Sequence, residues 1–278
     1  MYHLELPALQ MTEVFPNCAR RTSDRQMRAA FLAEEGRVQQ RSKTYSLMAA
    51  AAALHEMARQ DSVHVSGIEL ADLYERALVK GLERPTYLAL RGASRFGRCP
   101  FCSQRDVRTL DHYLPKGAFP EFAVLPMNLV PCCFDCNHAK LDHTPVAFSD
   151  QVFHPYFDDW DDVQVIRAEV EIEDRVFVEF SVNYHDLPPE VADRAQKHFT
   201  IFNLAALYSD NASIELVQKK ISFRLTFESG GRDALRTELL RESQSRRVPF
   251  PNAWQPALYG ALAESAEFID GGFQRIEE

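Results

Sequence analysis

Apolar side chains recur along this chain in two rhythms, one helical and one alternating. Residues 23–26 (Ser-Asp-Arg-Gln) have the form of a capping box and open a helical region expected to run to about Arg59, with a break near Gly36 or Thr44. Ser66-Gly-Ile-Glu69 is a second capping box. It starts a helix with Leu70, Leu73, Tyr74, Ala77 and Leu78 on one face, ended by Gly81 and Pro85. Residues 1–22 show no regular period and are expected to form an extended arm. The rhythm changes at 163–173, where Ile166, Ala168, Val170 and Ile172 alternate with Arg167, Glu169 and Glu171. Val176, Val178, Phe180 and Val182 repeat it, so the two runs predict a hairpin turning at Glu173-Asp174. Helical spacing returns over 188–208 (Val191, Ala195, Phe199, Phe202), 214–227 and 256–267. The pattern predicts an α+β fold: a mostly helical chain with a small strand-containing insert in its middle.

Composition narrows the class. The chain has 278 residues, 46% hydrophobic and 26% charged, the proportions of an ordinary soluble globular protein. No apolar run reaches membrane-spanning length, and residues 1–16 carry no basic stretch of the signal-peptide kind, so a cytoplasmic location is expected. A net charge of -9 argues against a protein that coats nucleic acid. The charge is uneven, however. Between Arg91 and Lys140 seven basic residues face four acidic ones, a basic strip in an acidic protein.

That strip contains the chemistry. Cys99-Pro-Phe-Cys102 and Cys133-Phe-Asp-Cys136 each place two thiolates on one knuckle, and two such pairs make a closed four-sulfur site of the structural zinc kind. Cys132 offers an alternative frame with Cys136, but Cys133 keeps the two-residue spacing; Cys132 and Cys18 are expected to be buried thiols. Between and after the knuckles lie Asp111-His112, Asn128 and Asn137. A hydrolytic nuclease needs a base for water, a divalent cation and groups that hold the phosphodiester backbone. His112 can be the base. Asp111 and the Asn137 carbonyl are hard oxygen ligands suited to Mg2+ or Mn2+. Asn128 is placed to hold the backbone of the loop that carries His112. His138 is the neighbouring candidate for the last ligand position, rotated about 100° from Asn137 on a helix. Lys116 and Lys140 are close enough in sequence to contact phosphate, and Arg95, Arg98, Arg105 and Arg108 can follow a duplex. His154, in His-Pro-Tyr-Phe-Asp, reads either as a packed histidine or as an added metal or phosphate contact.

This segment resembles the HNH family of the His-Me-finger (ββα-metal) nucleases. The resemblance rests on Cys99-x-x-Cys102, Asp111-His112-Tyr-Leu-Pro115 and Asn128-Leu129 followed by Cys133-x-x-Cys136-Asn137-x-x-Lys140. It covers about forty residues. It implies a zinc-stapled finger in which a β-hairpin carries Asp111, His112 and Asn128 and a helix begins near Asn137. His112 is then the general base, Asp111 and Asn137 hold the catalytic metal, and DNA, most readily duplex, is the substrate. Asn137 stands where many members have histidine, the variant that implies magnesium. The expected division is 1–88 helical, 89–160 nuclease core, and 161–278 hairpin with C-terminal helices. The flanks (Leu82-Glu-Arg84-Pro85 with Tyr87, His154-Pro-Tyr-Phe-Asp158, and Trp254 to Phe268) are similar to those of small bacterial HNH proteins of anti-phage defence loci, which often work beside an ATPase. An RNA-cleaving nuclease and a non-catalytic zinc module that binds nucleic acid or protein are the alternative readings.

Overall fold

Asp24, one residue beyond the expected Ser23, caps the long N-terminal helix: its carboxylate accepts the Met27 N–H at 2.7 Å. In the computed structural model, described for residues 1–277, this helix (α2, Arg25–Ala50) runs through Gly36 without a break. It is preceded by a helix where an extended arm was expected (α1, Met11–Arg20). The helical period is in the sequence, since Met11, Val14, Phe15, Cys18 and Ala19 are all buried, but Pro16 inside the helix masks it. The Ser66–Glu69 capping box forms as read and opens α3 (Gly67–Leu73), which continues as a π-helical turn (Tyr74–Val79). That turn closes on Gly81, where an added Cβ would stand 2.2 Å from the Arg76 carbonyl oxygen, so only glycine fits. Pro85 then begins α4 (Arg84–Gly92) instead of merely ending its predecessor.

Among the described residues the chain is 56% helical with two small antiparallel sheets, an α+β fold. It divides into two compact units. One is His3–Asp159, and the other comprises residues 1–2 and the stretch from Trp160 onward. The N-terminal helices and the finger, expected as separate domains at 88/89, therefore share one unit. The reason is visible in the buried ion pair of Arg41 on α2 with Glu121 in the finger, at 2.9 Å, and in a Tyr45–Asn128 hydrogen bond.

Within that unit β1 (Thr109–His112) pairs with β2 (Leu129–Cys132), placing Asp111 opposite Val130 and His112 opposite Leu129. The ladder extends through Arg108 N–H to Cys132 O and Tyr113 N–H to Asn128 O. Two four-residue strands are too little to stand alone; α4 packs on both. A short helix, α5 (Phe134–Lys140), follows β2 directly.

In the second unit β3 (Ile166–Ile172) and β4 (Val176–Val182) form the expected hairpin, with Ile166, Ala168, Val170 and Ile172 each opposite its apolar counterpart. The helix expected to reach Tyr208 stops at Ile201 (α6, Pro189–Ile201), because Asn203 takes left-handed backbone angles. A 44-residue helix, α7 (Leu204–Arg247), follows, interrupted at Gly231 (φ 66°) and far longer than the 214–227 segment read from periodicity. It packs against α8 (Trp254–Glu264), and α9 (Ala266–Ile269) closes the unit.

Glu34 on α2 holds the 63–64 connection, accepting the Val63 and His64 N–H groups at 2.6 and 2.5 Å while paired with Arg37. Burial alone would raise its pKa. The Arg37 side chain and the two backbone donors outweigh burial and hold the carboxyl below its ordinary value. The unfolded chain therefore takes up this proton at higher pH than the folded one. The stabilisation is complete above about pH 4.5 and is lost as pH falls below it. Glu34→Gln is expected to cost roughly 1–3 kcal/mol at neutral pH and to flatten the decline of stability below pH 4.5, measured by urea denaturation across pH. An unchanged acid slope would contradict this account.

Candidate metal centre and the groove beside it

Cys99, Cys102, Cys133 and Cys136 are all buried, and their sulfurs lie within 4.8 Å of one another. Tetrahedral zinc, with bonds of about 2.3 Å, sets sulfur–sulfur separations of roughly 3.8 Å, so this set fits a four-thiolate metal such as zinc. The knuckles are shaped for it. Ser103 adopts a positive φ after the first pair, and Cys102 Sγ accepts the Arg105 N–H. Cys133 caps α5 with its sulfur accepting the Cys136 N–H at 3.3 Å. Cys132 lies outside the cluster, as its spacing implied; burial, then the Asp111 charge, pushes its thiol up. Cys18 is likewise a buried thiol, raised to about 12 chiefly by burial.

Because Cys133 and Cys136 stand at the start of α5, the staple also fixes the face that α5 turns toward β1. Lys140 in its last turn defines that face. Its ammonium lies 2.9 Å from Asp111 Oδ2 and donates to the His112 carbonyl at 2.8 Å. Lys140 is therefore not the phosphate contact expected from its sequence position. Its side chain is 1% exposed and serves Asp111 instead. Burial pushes the Asp111 pKa up against the pull of Lys140. Apart from the Lys140 ammonium, no donor among the described residues reaches Asp111 Oδ2, which leaves this buried oxygen with lone-pair capacity to spare.

His112 Nε2 lies 2.9 Å from the Ala123 carbonyl, which can only accept, so Nε2 carries the hydrogen and Nδ1 keeps its lone pair. Burial, more than the neighbouring Lys116 and Lys140, lowers the His112 pKa to about 3, so the imidazole is neutral at neutral pH. Its ring meets the edge of Tyr74 at 4.5 Å, and Lys116 sits over the same Tyr74 ring.

Asn128 is completely buried and holds the loop between the strands. Its Oδ1 accepts the Leu114 N–H at 2.8 Å, and its Nδ2 donates to the carbonyls of Leu114 and Phe122 at 3.0 and 3.2 Å. Behind it runs a buried chain of hydrogen bonds. Tyr156 N–H donates to His154 Nδ1 at 3.3 Å, so His154 Nε2 carries its hydrogen and donates to Tyr45 Oη at 2.9 Å; the Tyr45 hydroxyl donates to Asn128 Oδ1 at 3.0 Å. His154 is thus a packed histidine, stacked on Tyr113 at 4.1 Å. Tyr45 and Ala123, which the motif does not single out, complete the support of His112. Tyr45 carried only the signature of a helix core position, and a backbone carbonyl such as that of Ala123 has no sequence signature.

Asp111, His112, Lys116, Asn137 and His138 border one groove of about 570 Å3, together with Tyr74. Asn137 precedes Lys140 by three residues and shares its helix face. His138 precedes it by two, points about 160° away, and is exposed. The arginines are partly engaged elsewhere: Arg98 and Arg108 with Asp106, Arg105 with Asp135.

No family model matches this chain, and no solved structure does. A curated relative, Protein ea31 of Escherichia phage lambda, is 27% identical over 300 aligned residues, which span 98% of this chain and the whole of that protein.

One metal ion per chain is expected by elemental analysis of protein purified without chelator, with zinc predominant. Cys133→Ser should lose that ion and unfold the finger, read as lost amide protection at Leu110 and Val130. Full protection in the metal-free variant would show that the cysteines are not the staple.

Proposed function

We propose that this protein is a metal-dependent endonuclease of the HNH type that hydrolyses DNA phosphodiester bonds. The observation that carries the reading is the groove in which a buried carboxylate oxygen with spare lone pairs, a neutral imidazole with a free Nδ1 and the amide of Asn137 come together. A structural zinc module has no use for the first two.

The donor set of Asp111 and Asn137 is hard and oxygen-only, which fits Mg2+ or Mn2+. Bound there, such an ion would neutralise charge developing on the phosphate and leaving oxygen. The chain's own residues do the rest. His112 Nδ1 takes a proton from the attacking water as its oxygen bonds to phosphorus and the bond to the leaving ester oxygen breaks. The Ala123 carbonyl keeps the imidazole in the tautomer this requires and stabilises the imidazolium that results. Lys116, half-buried at the groove, receives the phosphate charge; an anion there also raises the proton affinity of His112, because it opposes the two lysines that lower it. Lys140 keeps Asp111 ionised in a buried position, and Asn128 holds the loop whose carbonyls aim His112. The phage origin of the relative supports a role in conflict between phage and bacterium, and the flanking resemblance supports service as a defence effector beside an ATPase.

In plasmid cleavage with Mg2+ or Mn2+, His112→Ala is expected to lose about 10²–10⁴-fold in rate with its zinc retained. Asn137→Ala should lose comparably, while His138→Ala keeps most activity. If the wild-type protein, zinc-loaded and supplied with either ion, cuts neither DNA nor RNA, with partner proteins from its locus present, the enzyme reading fails and the zinc-module reading takes its place.

A further inference from the structure

The second unit carries a surface that the nuclease chemistry does not use. Its hairpin is a sheet of two strands, β3 and β4, so β4 pairs on one side only. The register and the flanking bonds identify which groups face outward. Asn183 N–H donates to Val165 O and Glu173 N–H to Arg175 O, so the hydrogen-bonded pairs fall at odd positions of β4. The N–H and C=O groups of Val176, Val178 and Phe180 therefore point away from β3, and among the described residues their N–H groups have no backbone partner.

The edge is open in part: Val178 and Phe180 are buried as residues, and residues 176–179 line open space. It forms one wall of a groove of about 530 Å3 whose opposite wall is α7, through Ser213, Leu216 and Val217. The floor and walls include apolar positions open to solvent, Phe177 at 37% and Val217 at 45% exposure. The rim is acidic: among the described residues Glu171, Glu173, Glu179 and Glu277 line the groove with Arg175, which is paired with Glu277 at 3.1 Å, while Arg275 and Lys220 beside it are bonded to the carbonyls of Glu173 and Ile276. The surroundings share that sign, since residues 160–278 hold 21 acidic and 13 basic side chains.

An unpaired strand edge beside a helix is the receptor half of strand addition, in which backbone bonds give affinity and alternating side chains give specificity. The acidic rim decides between occupants. It repels nucleic acid. It also repels a second copy of this chain, which would bring an identical rim against it. We infer that β4 and α7 form a docking groove for an extended, basic segment of a partner protein, which adds as a strand to β4 with its lysine or arginine side chains against Glu171, Glu173 and Glu179. The inference stands on the second unit alone and does not depend on the nuclease reading.

The test uses the full chain and synthetic nonapeptides: one alternating lysine and valine, one alternating glutamate and valine, and the lysine peptide with a central proline. Fluorescence anisotropy should show the lysine peptide binding at least about tenfold more tightly than either of the others. Hydrogen exchange should show its protection concentrated at the Val176 and Val178 amides. Glu179→Lys should weaken the lysine peptide about tenfold with an unchanged melting temperature. No binding, equal binding of the glutamate peptide, or protection lying elsewhere would overturn the proposal. So would a dimer in sedimentation equilibrium whose protected amides are those of β4, since a second copy would then be the occupant.

Discussion

The convergence of four buried sulfurs is the constraint on which the rest of the first unit depends. Those sulfurs join two segments thirty residues apart and lie within 4.8 Å of one another. Two four-residue strands and a seven-residue helix are each too short to persist alone. A metal such as zinc, if held by the cysteines, would convert them into one rigid piece, because its binding energy is folding energy. Every groove residue is placed by reference to that piece. Asp111 and His112 stand on the strand after the first knuckle, Asn137 and Lys140 on the helix capped by the second, and Asn128 at the entry to the strand between.

The buried pair of Lys140 and Asp111 shows how the groove reconciles rigidity with readiness. A carboxylate this deep would be neutral without a neighbouring cation, and a neutral acid is a poor ligand for a hard metal. Lys140 supplies the cation from the helix that carries Cys136, and no second donor among the described residues reaches Oδ2. Breaking such a pair typically costs about 3–5 kcal/mol, so the same contact that opposes the effect of burial on Asp111 also locks α5 against β1. His112 is treated differently: burial keeps it neutral, and one carbonyl fixes its tautomer.

Much of this was legible in the residues themselves. The two-residue cysteine spacings named the sulfur cluster and excluded Cys132, and the alternation over 166–182 named a hairpin whose register pairs the same apolar positions. The Ser66–Glu69 capping box was readable because cap chemistry is local. What escaped was what depends on distant partners. Lys140 looks like any surface lysine near a phosphate site until the fold brings Asp111 within 2.9 Å. The His154–Tyr45–Asn128 chain joins residues up to 109 positions apart. The α1 helix was hidden by Pro16, and the length of α7 by a mixed pattern that a glycine kink interrupts. Likewise nothing local says that Arg41 ends at Glu121, the contact that joins the N-terminal helices and the finger in one compact unit.

The central claim is that the stapled finger builds a second, hard-ligand cation site from Asp111 and Asn137. Electron paramagnetic resonance of Mn2+ titrated into the zinc-loaded protein tests it without any assay of cleavage. One Mn2+ per chain should bind; Asp111→Ala should abolish that binding, Asn137→Ala should weaken it, and His138→Ala should leave it intact, all with the cysteine-bound metal retained. Mn2+ binding that survives Asp111→Ala undiminished, or that is absent from the wild-type protein, would contradict the account.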